Sequence, residues 1–177
     1  MSKQSAINKA YEHSINDCVI IDYTFSKCLW ALGNDRLDLL HRLSTNSVVD
    51  MSNLEAKPTT LTNPVGRIID QIFVINMKNK TLLVSDSAKS DLVRQWIARH
   101  IFFQDDVILE TPKIPLVHTV FLGPKSNKTL HKTLSLPKNT SPNFAIALDN
   151  SAWLIKMNPP AGIGYRLIAD IKTSNQI

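Results

Sequence analysis

Cysteine is scarce in this chain. Cys18 and Cys28 are its only thiols among 177 residues, and they form no Cys-x-x-Cys pair. This removes the common zinc and iron–sulfur ligand sets from the chain acting alone. Their spacing permits a disulfide, but two reduced thiols on flanking strands are the simpler expectation. The five histidines are scattered, without metal-ligand spacing. No apolar run approaches the roughly 18 residues that a membrane helix needs. The first residues, MSKQSAINKAYEHSINDC, contain neither an apolar core region nor an Arg-rich amphipathic pattern. Neither a secretory signal nor a transit peptide is expected, so the expected location is cytoplasmic, without membrane contact. Runs of like charge are also missing, although the net charge is +5 and the pI about 9.3. The cationic excess mildly favours anionic partners such as acidic proteins, polyglutamylated cofactors or nucleic acid. With no basic stripe and no interleaved aromatics, nucleic acid is not the expected one.

What is present suffices for one domain with a sizeable core: 177 residues, 44% of them apolar. The most informative segment is PTTLTNPVGRIIDQIFVINMKNKTLLV, from Pro58 to Val84. A strand-like run meets a turn at Pro64-Val65-Gly66, a long β-rich run follows, and a Lys-Asn-Lys turn leads to a third apolar run. Gly66 is first a turn glycine, tolerating positive φ. Asp70 and Gln71 sit side by side inside the long run. Burying polar groups without partners costs about 2–7 kcal/mol. The pair therefore either faces solvent or lines a ligand site, and Asp70 could equally be a solvent-facing partner of Arg67.

The remaining chain reads as strands with few helices. Residues 1–16 are polar, frayed or a short helix. Val19 to Tyr23 and Cys28 to Leu32 read as strands around a Thr-Phe-Ser-Lys turn. Gly33-Asn34-Asp35 opens a helix that Asn34 or Asp35 can cap, with Leu37, Leu40 and Leu43 on one face. Ser44-Thr45-Asn46-Ser47 ends it. The strongest helical pattern runs from Asp86 to Ile101, capped by Asp86 or Ser87. Leu92, Val93, Trp96, Ile97 and Ile101 share its apolar face, and His100 lies near its C-terminus, where positive charge is favoured. Strands are expected at Asp106 to Glu110, Leu116 to Leu122, Phe144 to Leu148, Ala152 to Met157 and Tyr165 to Ile171. A weak helix follows Gly123-Pro124. Loops fall at Pro137-Lys138-Asn139-Thr140-Ser141-Pro142 and from Pro159 to Gly164. Trp30, Trp96 and Trp153 are expected in the core. The order is ββαβββα, then ββαβββ from near Asp106: a duplicated topology without sequence repetition. Consecutive strands with few helices favour an α+β fold with antiparallel sheets. Residues 17–172 form the domain, with 173–177 as a tail.

Several segments resemble the folate-binding domain of the glycine-cleavage T-protein (aminomethyltransferase, GcvT) superfamily, closest to its YgfZ-like branch. Gly33-Asn34-Asp35-Arg36, Leu39-Leu40 and Leu43-Ser44-Thr45-Asn46 are similar to the family's first helix. Thr60 to Asp70 is similar to its Gly-Arg turn, Asp105-Asp106-Val107 to a strand start after its long helix, and Gly162-Ile163-Gly164-Tyr165 to another strand start. The resemblance covers about residues 25–170 and implies two swapped ferredoxin-like subdomains. It implies tetrahydrofolate as cofactor, with Leu43, Thr62, Gly66, Arg67, Asp70, Gln71, Phe73 and Ile75 as candidate binding residues. It also marks departures. Gln71 stands where catalytic members carry a second Asp, and an amide cannot exchange a proton near neutral pH. Gly162 stands where they grip the pterin with a glutamate. The family's C-terminal barrel has no counterpart in these residues, nor does the YgfZ-like segment with its reactive cysteine. The expectation is a non-catalytic folate-binding module of one-carbon or iron–sulfur cluster metabolism. A protein partner or a homodimer would then cover the barrel-facing surface. The alternative is an interaction or structural domain that kept the fold and lost folate. An aminomethyltransferase is the third reading.

Overall fold

The computed structural model describes residues 3–23, 27–85, 87, 90–137, 141–157 and 164–177. Among these residues the elements run α1 (Lys3–Asn16), β1 (Val19–Asp22), β2 (Cys28–Leu32), α2 (Arg36–Leu43), β3 (Ala56–Thr62), β4 (Ile68–Asn76), β5 (Lys80–Ser85), α3 (Ser90–Ala98), β6 (Ile108–Glu110), β7 (Leu116–Leu122), α4 (Ser126–Thr133), β8 (Ala145–Ala147), β9 (Trp153–Met157), β10 (Gly164–Asp170) and α5 (Ile171–Gln176). Apart from α1 and α5, this is the duplicated α+β order that hydrophobic alternation and turn residues predict. The Thr24-Phe25-Ser26 part of the first turn, Asp86, residues 138–140 and the 158–163 loop lie outside the described residues.

The chain divides into two compact units, Phe25–Leu116 and the combination of Met1–Thr24 with Val117–Ile177. Each holds one five-stranded sheet, ordered β3-β4-β5-β2-β6 in the central unit and β1-β7-β10-β9-β8 in the terminal one. The two orders are the same if β2 to β5 are equated with β7 to β10. In each half of the sequence the first strand leaves its own sheet and forms an edge of the other. β6 pairs antiparallel with β2, Leu32 opposite Ile108, and β1 pairs antiparallel with β7, Val19 opposite Leu122. The swap corrects the reading of β1 and β2 as two strands joined around one turn: they belong to different sheets.

Alternation along the strands sets which residues meet the helices. In the central unit Leu29, Ala31, Leu61, Ile72, Val74 and Leu83 pack with Leu39 and Leu40 of α2 and Val93 and Ile97 of α3. In the terminal unit Phe121, Leu154, Tyr165, Leu167 and Ala169 pack with Leu130 of α4. Burying each such Leu, Ile or Phe contributes about 1.5–3 kcal/mol. Three local expectations change. The long helix is described from Ser90, the expected Asp86 cap lying outside the described residues, and Leu92 is 42% exposed, off its buried face. Asp35 sits at the N-cap of α2 but makes no side-chain cap bond. The expected tail is largely helical, because the Asp170 carboxylate accepts from the backbone N–H groups of Lys172 (2.9 Å) and Thr173 (3.1 Å).

Candidate functional site

The Gly33-Asn34-Asp35-Arg36 segment is a clasp. Gly33 has φ +97°, and a Cβ there would lie 1.9 Å from the Asp106 carbonyl oxygen. This close approach lets the Asn34 N–H donate to Asp106 Oδ2 (2.9 Å) while Asp35 Oδ2 accepts from the Asp106 N–H (2.8 Å). Arg36 donates to the Gly33 carbonyl (2.8 Å), Thr81 Oγ1 (3.1 Å) and the Met77 carbonyl (3.1 Å), tying the start of α2 to the β4–β5 turn. The terminal unit repeats the device. Gly123 has φ +119° and would place a Cβ 2.3 Å from the Asp17 carbonyl oxygen. The Lys125 N–H donates to that oxygen (3.0 Å), and the Lys125 ammonium pairs with the Asp17 carboxylate. Both glycines thus seat a swapped edge strand against the turn into a helix.

The eight candidate binding residues fall at several places in the central unit. Gly66 (φ +77°) lies in the β3–β4 turn, where Asn63 Oδ1 accepts from the N–H groups of Val65 (3.1 Å) and Arg67 (2.9 Å). Arg67 is exposed. Thr62 is half-buried beside a register shift between Leu61 and Thr62. Leu43 packs against the helix-side core. Asp70 shares the face of Ile72 and Val74 and is 7% exposed. Its Oδ2 accepts from Ser85 Oγ at 2.5 Å and Ser87 Oγ at 3.0 Å, and its Oδ1 from the Gln71 N–H at 2.9 Å. The carboxylate is a bracket between β4 and the chain leaving β5, which replaces the expected solvent-facing partnership with Arg67. Ser87, expected as a helix cap, donates through Oγ to this carboxylate. Gln71, Phe73 and Ile75 point to the opposite sheet face, Phe73 and Ile75 buried and Gln71 exposed. The alternation of β4 therefore separates Asp70 from Gln71, and the structure does not gather the eight residues into one cluster. Gly162 lies outside the described residues.

Burial raises both thiols above their ordinary pKa. Both cysteines are free, and burial pushes the Cys28 thiol up to about 12. Among the described residues no group of three His, Cys, Asp or Glu side chains could hold a metal ion. His100 meets the Trp96 carbonyl oxygen through Nδ1 at 2.8 Å, as a histidine closing a helix does.

A second polar constellation, in the terminal unit, escapes reading from the sequence. His118 of β7 is fully buried. Arg166 of β10, the neighbouring strand, places Nη1 3.2 Å from His118 Nε2, and its Nε donates to Met157 Sδ at 3.0 Å. The Tyr23 ring stacks on the imidazole, centroids 4.9 Å apart and planes 18° from parallel. Burial and then the Arg166 charge depress the His118 pKa from 6.5 to about 3, so the ring is neutral at physiological pH. The available signal was a titratable or charged residue, His118 or Arg166, inside an otherwise largely apolar strand, LVHTVFL or GYRLIAD.

Residues 1–147 match the family described as the GCVT N-terminal domain. A candidate chloroplastic transferase of Arabidopsis thaliana is 26% identical over 66% of this chain and 27% of its own length. The aminomethyltransferase of Bacillus subtilis is 26% identical over 71% of this chain and 34% of its own. The chain thus spans about a third or less of these relatives. Among solved structures, the glycine cleavage system aminomethyltransferase T from Bartonella henselae superposes with a TM-score of 0.81 at 13% identity. That match covers 94% of this chain and 46% of that one. A chain of the heterotetrameric sarcosine oxidase from Corynebacterium sp. U-96 superposes with a TM-score of 0.55 at 12% identity, covering 99% of this chain and 89% of that one. At these identities the superpositions establish the fold.

Proposed function

The chain belongs to the GCVT N-terminal domain family, and from that premise we propose that it is a tetrahydrofolate-binding module without transferase chemistry of its own. The observation that carries the second half is the fate of the Asp70-Gln71 pair. Asp70 is engaged by Ser85 and Ser87 on the helix-covered face. The residue at the position of the family's acid is the Gln71 amide, which cannot carry a proton to or from a reacting nitrogen. The preserved clasps and sheets support the first half, because they are the scaffold on which the family binds folate. Exposed Arg67 offers a cation to the glutamate tail of a folate through charge-assisted bonds. A YgfZ-like affiliation, and with it a place beside iron–sulfur cluster assembly, rests on the Gly33–Arg36 and Gly66–Arg67 segments. Calorimetric titration with tetrahydrofolate and 5-formyl-tetrahydrofolate tests the reading. Saturable heat, weakened by Arg67→Ala, supports it; no heat at high protein concentration overturns it.

A second reading is an interaction domain that has lost folate. Ile7, Tyr11 and Ile15 are 53%, 67% and 46% exposed along one face of α1, and Phe103 is 100% exposed. Apolar groups at helical spacing in water favour a covering partner. Light scattering that finds a monodisperse monomer, combined with saturable folate binding, would remove this alternative.

A further inference from the structure

The imidazole of His118 has two nitrogens with unequal fates. Arg166 has only donors to offer, so Nε2, 3.2 Å from Nη1, is the acceptor. The ring proton is therefore on Nδ1. That atom is buried and, with Trp96 Nε1, is one of the buried side-chain nitrogens among the described residues that has no hydrogen-bond partner. A buried N–H without an acceptor costs about 1–3 kcal/mol, so its retention in a strand that could carry valine asks for a compensating role. The ring is otherwise firmly held. The Tyr23 N–H donates to the His118 carbonyl (2.8 Å), the Tyr23 ring stacks on the imidazole, and Met157 Sδ accepts from Arg166 Nε. This is a preset donor with a cation on its far side, and an oxygen bearing negative charge is the acceptor such a field favours.

We propose that His118, Arg166 and Tyr23 form a binding subsite for the carboxylate of a small molecule, with His118 Nδ1–H as the donor, the Arg166 guanidinium as the fixed cation and Tyr23 as the stacked ring that holds the imidazole plane. The proposal deepens the folate-binding reading, since a folate carries carboxylates, but the subsite accepts simpler acids too. It is built from the terminal unit alone and shares no residue with the candidate positions on β3 and β4. A neutral histidine suits this role because it gives a proton donor of fixed direction, and burial together with the Arg166 charge keeps it from becoming a second cation.

The test uses the full chain labelled with ¹⁵N-histidine and long-range proton–nitrogen correlation spectra. The unliganded protein should show His118 as the Nδ1–H tautomer. Titration with acetate, and separately with 5-formyl-tetrahydrofolate, should move the Nδ1 resonance saturably. His118→Phe, which keeps a stacking ring, should weaken binding by about ten- to a hundredfold, the range of a charge-assisted bond. Arg166→Met should do the same. An Nε2–H tautomer, or an Nδ1 resonance that neither acid shifts, overturns the subsite. The two readings fail separately. Folate binding of wild-type strength in His118→Phe removes the subsite and leaves the folate module. A saturable acetate response without any folate heat removes the folate module and leaves the subsite.

Discussion

At the residue scale, two buried polar side chains have opposite supplies of partners. Asp70 accepts from two hydroxyls and one backbone N–H, so its charge is compensated where it sits. Asp70→Ala removes the carboxylate that accepts from Ser85 Oγ and Ser87 Oγ, and hydrogen bonds to a charged group contribute about 1.5–3 kcal/mol. The expected loss of stability is about 2 kcal/mol by urea unfolding. Ser85→Ala in the Asp70→Ala background should add less than it does alone, because the two residues share one bond. Full additivity would detach Asp70 from the bracket. His118 is the contrary case. Its pKa falls from 6.5 in the unfolded chain to about 3 in the folded one, so protonation favours unfolding. The stability tied to the neutral ring is complete above about pH 6.5 and is lost as pH falls toward 3. At 1.36 kcal/mol per unit, the loss reaches about 2 kcal/mol by about pH 5. His118→Leu should flatten that acid slope between about pH 7 and 5. An unchanged slope would place the acid sensitivity elsewhere. Neither role was legible in the sequence. The Asp70-Gln71 pair was visible, but its division between two sheet faces follows from the strand register. His118 and Arg166 meet only because β7 and β10, distant in sequence, are neighbours in the sheet.

At the scale of elements, local sequence signals carried most of the order and failed where the cause was not local. Alternating apolar residues and turn-forming pairs mark nearly every strand. They cannot say that β1 and β2, separated by a short connection, join different sheets, because pairing partners lie far along the chain. The start of α5 was missed for a related reason: it is set by the Asp170 carboxylate, which accepts from the Lys172 and Thr173 N–H groups. The glycines separate local from non-local causes in a measurable way. Gly66 has φ +77° with nothing within 4 Å of the place a methyl would take, whereas a methyl at Gly33 would strike the Asp106 backbone at 1.9 Å. Gly66→Ala should cost only the left-handed backbone penalty, about 1–2 kcal/mol. Gly33→Ala adds a clash against backbone that must shift and take the Asn34 and Asp35 bonds with it. Its melting temperature should fall at least twice as far, and equal shifts would mean that the clasp yields freely.

At the scale of the whole molecule, the duplicated order has a mechanical consequence. Each sheet takes one edge strand from the other half of the sequence, so neither half of the chain contains a complete sheet. In the terminal sheet that edge is β1, whose residues Val19 to Asp22 pair with Leu122 to Thr119 of β7. Removing residues 1–22 would leave β7 as an edge with unpaired N–H and C=O groups, and would also take away Asp17, which meets Gly123 and Lys125. An exposed edge opens locally at lower free energy than an interior strand. The shortened chain should therefore lose slow amide hydrogen exchange at Thr119 to Leu122, while Ile72 to Asn76 of β4 keep theirs, because every strand of the central sheet lies outside the deleted segment. Uniform loss in both sheets would mean that the chain unfolds as one cooperative body. Retained protection in β7 would mean that β1 contributes little to the sheet it completes. The selective outcome would show that the swap, which local sequence signals reveal only as a repeated order of elements, is what holds the terminal sheet together.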